Sequence, residues 1–115
     1  MKILHTSDLH LKSFNDIRWK TLETILEIGK VENIDVLVIS GDLFDKDEKA
    51  QELRPEIRKI FSNNQFKILL IPGNHDSQSY KGTFLGEDVY LFSNINVPFE
   101  MENILFWGFP FEDCQ

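Results

Sequence analysis

The chain has 115 residues, of which 42% are apolar and 27% charged, and its formal net charge is −7. This composition excludes a disordered or low-complexity chain and indicates one globular domain at most. No apolar run is long enough to cross a membrane, and the negative charge disfavours broad, nonspecific binding to nucleic-acid phosphates. Acidic residues gathered at one place can instead bind divalent cations.

Three apolar segments predict buried β-strands at residues 2–6, 36–39 and 68–71. The second segment is almost wholly apolar and rich in β-branched residues, which is typical of a strand that is covered on both faces in a parallel sheet. Turn residues follow it at 40–42, and Pro72-Gly73-Asn74 closes the third segment. The sequence therefore favours a parallel sheet whose strands end in polar loops.

Two helical patterns separate these strands. The first begins at Asn15 or Asp16. In the second, Pro55 must lie in the first turn or kink the helix. The order strand-helix-strand-helix-strand predicts an α/β fold with right-handed crossovers. The predicted buried faces carry Ile17, Leu22, Ile25, Leu26 and Gly29 in the first helix, and Leu53, Ile57, Ile60 and Phe61 in the second.

The segment after Asp76 differs from the preceding part of the chain in composition. A polar loop with Gly82 and Gly86 precedes short aromatic strands, which we expect near residues 89–92, 97–101 and 104–108. Six of the ten phenylalanines lie beyond residue 80, and core packing is the expected role of all six. This segment is therefore predicted to cover or extend the sheet.

A polar cluster follows each of the three predicted strands: Asp8-Leu9-His10, Gly41-Asp42 with Asp45, and Gly73-Asn74-His75-Asp76. Their spacing is about one strand-helix unit, so parallel strands would bring all three to the same carboxyl edge of the sheet. Carboxylates, an amide oxygen and an imidazole together suit Mn²⁺, Fe or Zn²⁺.

Each cluster also has an alternative interpretation as turn chemistry. Asp8 could cap a turn, Asp42 could form an Asx turn after Gly41, and Asn74 could occupy a left-handed turn position. The three together favour a metal site. His5 alternates with apolar positions of the first strand, so we interpret it as a core or strand-end residue outside the site.

Residues 3–10 (ILHTSDLH), 40–45 (SGDLFD) and 72–76 (PGNHD) resemble the first three sequence blocks of the calcineurin-like metallophosphoesterases. Within that superfamily, the opening segment is most similar to the SbcD-type DNA-repair nucleases. The resemblance spans essentially the whole chain. It implies that residues 1–115 form a partial domain, the N-terminal portion of a metallophosphoesterase β-sandwich flanked by helices.

The resemblance also implies a role for five residues. Asp8 and His10 would bind one metal ion, Asp42 would bridge two ions, and Asn74 would bind the second. His75 would face the phosphate and stabilise the transition state or protonate the leaving oxygen. Two divalent ions, expected to be Mn²⁺ with Fe or Zn²⁺ as alternatives, would polarise the phosphoryl oxygens while hydroxide attacks phosphorus in line.

The chain departs from the family pattern in several places. The family site takes three more histidines from its second half, whereas no histidine follows His75 here. We therefore expect these residues to be the N-terminal portion of a longer nuclease subunit. The nuclease branch usually has Trp at the position of Leu9 and Gly at the position of Lys12. Many of its members have His at the position of Asp45. Asp45 and Asp76 are expected to support the ligands or the turns and not to bind metal.

The sequence thus predicts metal-dependent phosphoester hydrolysis, with DNA cleavage by a cytoplasmic repair exonuclease or endonuclease subunit as the specific expectation. The resemblance implies DNA and an SbcC-type ATPase subunit as partners. A homodimer is left open, and no association with a membrane is expected. A small-substrate phosphatase or phosphodiesterase of the same superfamily is one alternative. Another is an inactive remnant that lacks the later histidines, and weak or no activity is expected of the 115 residues alone. The single cysteine, Cys114, is expected to be inert.

Overall fold

The computed structural model describes residues 1–80, 84–93 and 96–110 of the protein, and Gly82 and Cys114 lie outside these ranges. Within them, no helix is long and apolar enough to span a membrane. The chain order confirms the predicted alternation of strands and helices. The elements are β1 (Ile3–Thr6), α1 (Ile17–Val31), β2 (Val36–Ser40), α2 (Asp47–Ile60), β3 (Lys67–Ile71), β4 (Val89–Leu91), β5 (Phe99–Met101) and β6 (Ile104–Phe106).

Four strands form one parallel sheet in the order β1-β2-β3-β4. Ile3 pairs with Val36, and Val36 pairs with Lys67, so the first three strands begin at nearly the same level. Their carboxyl ends therefore share one edge, as the sequence predicts. The aromatic segment both extends and covers this sheet, because β4 joins it while β5 and β6 form a separate antiparallel pair.

Both faces of the sheet are covered at β2 and β3, which explains the apolar sequences of these two strands. The prediction that the first strand is buried is wrong, because the residues of β1 are exposed or half-buried and Ile3 is 47% exposed. Alternate side chains of β2, such as Leu37 and Ile39, pack with α1 and α2 in one large core. The intervening side chain of Val36 faces the opposite side and packs in a second cluster with Leu69 and Phe92. Half-buried residues of the β5–β6 hairpin close that second cluster, namely Phe99, Met101 and Phe106.

Helix α1 begins after Asp16, whose carboxylate accepts a hydrogen bond from the backbone N–H of Trp19 at 2.9 Å. Its buried face carries Leu22, Leu26 and Gly29 as predicted, and Trp19 in addition. The prediction for Ile17 is wrong, because its side chain is 80% exposed. Leu22 follows Ile17 by five positions, which corresponds to a rotation of about 140° around the helix.

Helix α2 begins at Asp47, so the charged run at residues 45–49 spans the end of the preceding loop and the start of the helix. Pro55 is the ninth of its 14 residues and lies on the exposed side. It therefore lies in the helix interior and not in the first turn. The charges suit the helix dipole, since Asp47 and Glu48 lie in the first turn while Arg58 and Lys59 lie in the last.

The late phenylalanines divide between core and surface. Phe92 is buried between the sheet and the hairpin, and Phe99 and Phe106 pack beside it. The core prediction is wrong for Phe84 and Phe109, which are more than half exposed. Phe111 lies outside the described residues. Aromatic content predicts burial poorly in this segment because its short strands leave many side chains in loops.

We expect Pro55→Ala to raise the free energy of unfolding by up to about 3 kcal/mol, because alanine restores a backbone N–H donor inside α2 and removes the ring clash with the preceding turn. Urea denaturation measures the change. Gln51→Ala is the control at an exposed position of the same helix, with an expected change within about 0.5 kcal/mol. Unchanged or lower stability of Pro55→Ala would contradict this interpretation.

Candidate metal centre

Backbone hydrogen bonds continue between the loops beyond the ends of the strands. The N–H of Asp8 donates to the carbonyl of Gly41 at 3.0 Å, and the N–H of His10 donates to that of Asp42 at 2.9 Å. The N–H of Gly41 in turn donates to the carbonyl of Ile71 at 2.7 Å. The loop after β1 is thus linked to the loop after β2, which in turn is linked to the end of β3, and these bonds fix the relative positions of the residues that the two loops carry.

Three candidate ligands have left-handed backbone conformations. The φ angles are 56° at Asp8, 51° at His10 and 53° at Asp42. Such conformations cost on the order of 1–3 kcal/mol each, although Asp and His tolerate them better than most residues do. Asn74 has no such angle, so the left-handed turn alternative does not apply to it. Strain at three neighbouring polar positions is typical of a functional site.

The side chains of Asp8, His10 and Asp42 converge. One potential ligand atom from each lies within 4.8 Å of the others. His10 Nε2 is 3.9 Å from Asp8 Oδ1, and the Asp42 side chain is buried whereas that of Asp8 is largely exposed. Two carboxylates at this separation repel each other, and a cation between them would relieve that repulsion. The oxygen and nitrogen donors fit a divalent ion of the Mn²⁺, Fe or Zn²⁺ type.

One oxygen of the Asp42 carboxylate is held by the backbone of the loop after β3. Its Oδ1 accepts a hydrogen bond from the backbone N–H of His75 at 2.8 Å. Gly73 leaves room for this oxygen, because a Cβ at that position would overlap Asp42 Oδ1. A side chain at position 73 would therefore displace the carboxylate from the cluster.

The remaining predicted site residues lie beside this cluster. Asn74 lines an open cleft of about 480 Å³ together with Asp8 and Asp42. The ring of His75 lies edge-on to that of His10, with 5.1 Å between the ring centroids. Both Asn74 and His75 are exposed, so their side chains are available to a ligand in the cleft. His5 lies outside the cluster and hydrogen bonds through Nε2 to Ser40 Oγ.

Asp76 is fully buried and anchors the loop after β3. Its Oδ1 accepts from the N–H of Gly73 at 2.8 Å, while Oδ2 accepts from the N–H of Phe44 at 3.1 Å and from the hydroxyl of Tyr80 at 2.7 Å. Burial, together with the charge of Asp76, raises the pKa of the Tyr80 phenol well above its usual value. The supporting role expected of Asp76 agrees with these contacts.

Sequence reasoning missed two supporting residues. Tyr80 follows Asp76 by four residues, a spacing that brings the two side chains together in a compact turn segment. Arg18 donates a hydrogen bond from Nη1 to the carbonyl of His10 at 2.8 Å. The signal for Tyr80 was present in the sequence, whereas nothing in the pattern indicates that Arg18 turns toward the loop after β1.

Comparison with known protein families matches residues 1–113 to the calcineurin-like phosphoesterase family. The match covers nearly the whole chain, so the chain belongs to that family. Family membership establishes the hydrolase class, a divalent-metal requirement and metal-dependent phosphoester hydrolysis in general terms.

We expect Tyr80→Phe to lower the free energy of unfolding by about 1–3 kcal/mol at pH 8, because Asp76 loses one of its three donors in a buried environment. Urea denaturation tests this. Tyr90→Phe is the matched control, since the Tyr90 hydroxyl donates to an exposed carbonyl, that of Val97, at 3.2 Å. An equal loss in both variants would contradict the anchoring role of Asp76.

The same phenol predicts a pH dependence. Because the folded state raises the pKa of Tyr80, its contribution to stability is complete below the ordinary tyrosine value of about 10 and is lost as the pH rises above it. Unfolding measurements from pH 8 to 11 should show a falling wild-type stability. The gap between the wild type and Tyr80→Phe should narrow over that range, and a constant gap would contradict the prediction.

Proposed function

We propose that this calcineurin-like phosphoesterase hydrolyses phosphodiester bonds of DNA, using a divalent cation held by Asp8, His10 and Asp42. The single observation that carries the proposal is the convergence of these three side chains at the carboxyl edge of the parallel sheet. Open parallel sheets bind their ligands at that edge. The resemblance of residues 3–10 to the SbcD-type nucleases supports DNA as the substrate.

Asp8 and Asp42 have different roles at the cleft. A bound divalent cation supplies a Lewis acid that polarises a phosphoryl oxygen. Asp42 is held by the backbone N–H of His75, whereas the exposed carboxylate of Asp8 stands at the cleft, where a substrate enters. The loop hydrogen bonds fix the backbone that carries both carboxylates before the ion arrives, which lowers the cost of binding it.

Asn74 and His75 complete the proposed site. The amide oxygen of Asn74 suits a second divalent ion that Asp42 would share, because both residues line the same cleft. The exposed imidazole of His75, beside His10, is the group that we assign to the leaving oxygen. As a proton donor or as a hydrogen-bond donor, it would act on the charge that develops there.

A small phosphodiester is the second candidate substrate. The net charge of −7 disfavours an extended polyanion, and a cleft of about 480 Å³ lies in the size range of small-molecule pockets. Against this, Lys12 and Arg18 place two cations close to the His10 loop, where they could contact phosphates on either side of the scissile bond. With DNA as the substrate, we further propose an SbcC-type ATPase subunit as partner.

The proposal predicts Mn²⁺-dependent hydrolysis of bis-p-nitrophenyl phosphate and of a labelled blunt DNA duplex by the full-length gene product. Asp42→Asn should lower both rates by at least about 100-fold, because it removes a charge from the ion while keeping the side-chain volume. Asp88→Asn is the matched control. That carboxylate forms an ion pair with Lys67 at 2.9 Å, away from the cleft, and its rates should stay at the wild-type level.

The outcomes separate the candidates. Cleavage of the small diester without cleavage of the duplex would replace DNA with a small substrate. Rates that do not respond to Asp42→Asn would show that the chemistry occurs elsewhere. A full-length wild-type product that cleaves neither substrate with Mn²⁺, Fe²⁺ or Zn²⁺ would overturn the proposal in favour of an inactive binding module.

A further inference from the structure

We propose that Asp45 is a positioning residue that orients the imidazole of His10, so that Nε2 faces the metal position shared with Asp8 and Asp42. This inference rests on the proposed metal site but goes beyond it. The family resemblance gives position 45 no metal role and often places a histidine there.

The two nitrogens of the His10 ring face different carboxylates. Nδ1 is 3.5 Å from Asp45 Oδ1, and Nε2 is 3.9 Å from Asp8 Oδ1. A carboxylate beside Nδ1 favours the tautomer that carries its proton on that nitrogen, which leaves the lone pair of Nε2 free for a metal ion. The Asp45 side chain is 22% exposed and that of Asp8 63% exposed, so water screens the Asp45 carboxylate less.

The structure holds Asp45 in this place through its backbone and its neighbours. Its N–H donates to the carbonyl of Leu11 at 3.0 Å, which ties it to the loop that carries His10. Its carboxylate oxygens lie 4.0 Å from Lys12 Nζ and 3.8 Å from Arg18 Nη1. The same Arg18 nitrogen donates to the His10 carbonyl, so the backbone and the ring of His10 are both held from this side.

A purely structural role for Asp45 would run through those two cations. Both pairs are long and partly exposed, and such pairs contribute about 0–1 kcal/mol. The contact with His10 Nδ1 is the shortest of the three side-chain contacts described here for Asp45. A role as an ion-pair partner and a role in orienting the ring therefore predict different results when Asp45 is removed.

The first readout needs neither metal nor activity. Long-range ¹H–¹⁵N spectra of the metal-free protein at pH 8 report the tautomer of each histidine ring. We expect His10 to be mainly the Nδ1–H tautomer in the wild type, and that fraction to fall in Asp45→Ala. His75 serves as the internal control, and its tautomer should stay unchanged. An unaltered His10 spectrum in Asp45→Ala would overturn the inference.

The second readout is the dissociation constant for Mn²⁺, measured by electron paramagnetic resonance. Asp45→Ala should weaken binding by about 10–100-fold, the range for residues that support a metal-bound histidine. Asp88→Ala removes a remote carboxylate and should bind Mn²⁺ as the wild type does, whereas Lys12→Ala removes a cation paired with Asp45 and tests the ion-pair role. Equal weakening by Lys12→Ala and Asp45→Ala would overturn the orienting role in favour of the ion pair.

The two readouts also keep this inference distinct from the proposed function. If the wild type binds no Mn²⁺, the metal site fails, while the tautomer spectra still decide whether Asp45 orients the ring. If the wild type and Asp45→Ala bind Mn²⁺ equally, only the role of Asp45 fails. Circular dichroism checks that each variant folds. If Asp45→Ala does not fold, Asp45→Asn replaces it, because asparagine keeps the side-chain volume. We expect Asp45→Asn to bind Mn²⁺ with intermediate affinity.

Discussion

The buried carboxylate of Asp76 is the interaction on which the geometry of the cleft depends. An ionised carboxylate is costly to bury unless hydrogen bonds replace the water that it loses. Its three donors come from different places, namely Gly73 in its own turn, Phe44 in the loop after β2, and Tyr80 in the segment that follows. Satisfying this one group therefore fixes one loop against another, and it aims the N–H of His75 at Asp42.

Backbone hydrogen bonds between the loops explain how these loops tolerate strained conformations. Left-handed conformations at Asp8, His10 and Asp42 are unfavourable locally, yet each of these residues takes part in the backbone hydrogen bonds between the loops. Parallel pairing of β1, β2 and β3 sets the starting positions, and the loop hydrogen bonds extend that register past the strand ends. The result is a set of oxygen and nitrogen donors that is assembled by the fold and remains open to the cleft.

Much of this arrangement could be predicted from the sequence because it depends on local chemistry and on a regular period. Apolar β-branched runs define the strands, and a polar cluster after each one is brought to a single edge by parallel pairing alone. The features that could not be predicted depend on tertiary contacts. The exposure of Phe109 depends on how the hairpin meets the sheet, and the donation from Arg18 to the His10 carbonyl depends on how α1 is placed beside the loop. Ile17 is a different case, since helix geometry alone already places it off the face of Leu22.

The central claim is that Asp8, His10 and Asp42 hold a divalent cation at the carboxyl edge of the sheet. Anomalous X-ray diffraction from crystals of the protein grown with Mn²⁺ tests it most directly. The account predicts an anomalous peak among these three side chains, with Nε2 as the nitrogen of His10 that faces the ion. An anomalous map with no peak there, or with its peak at another place on the protein, would contradict it.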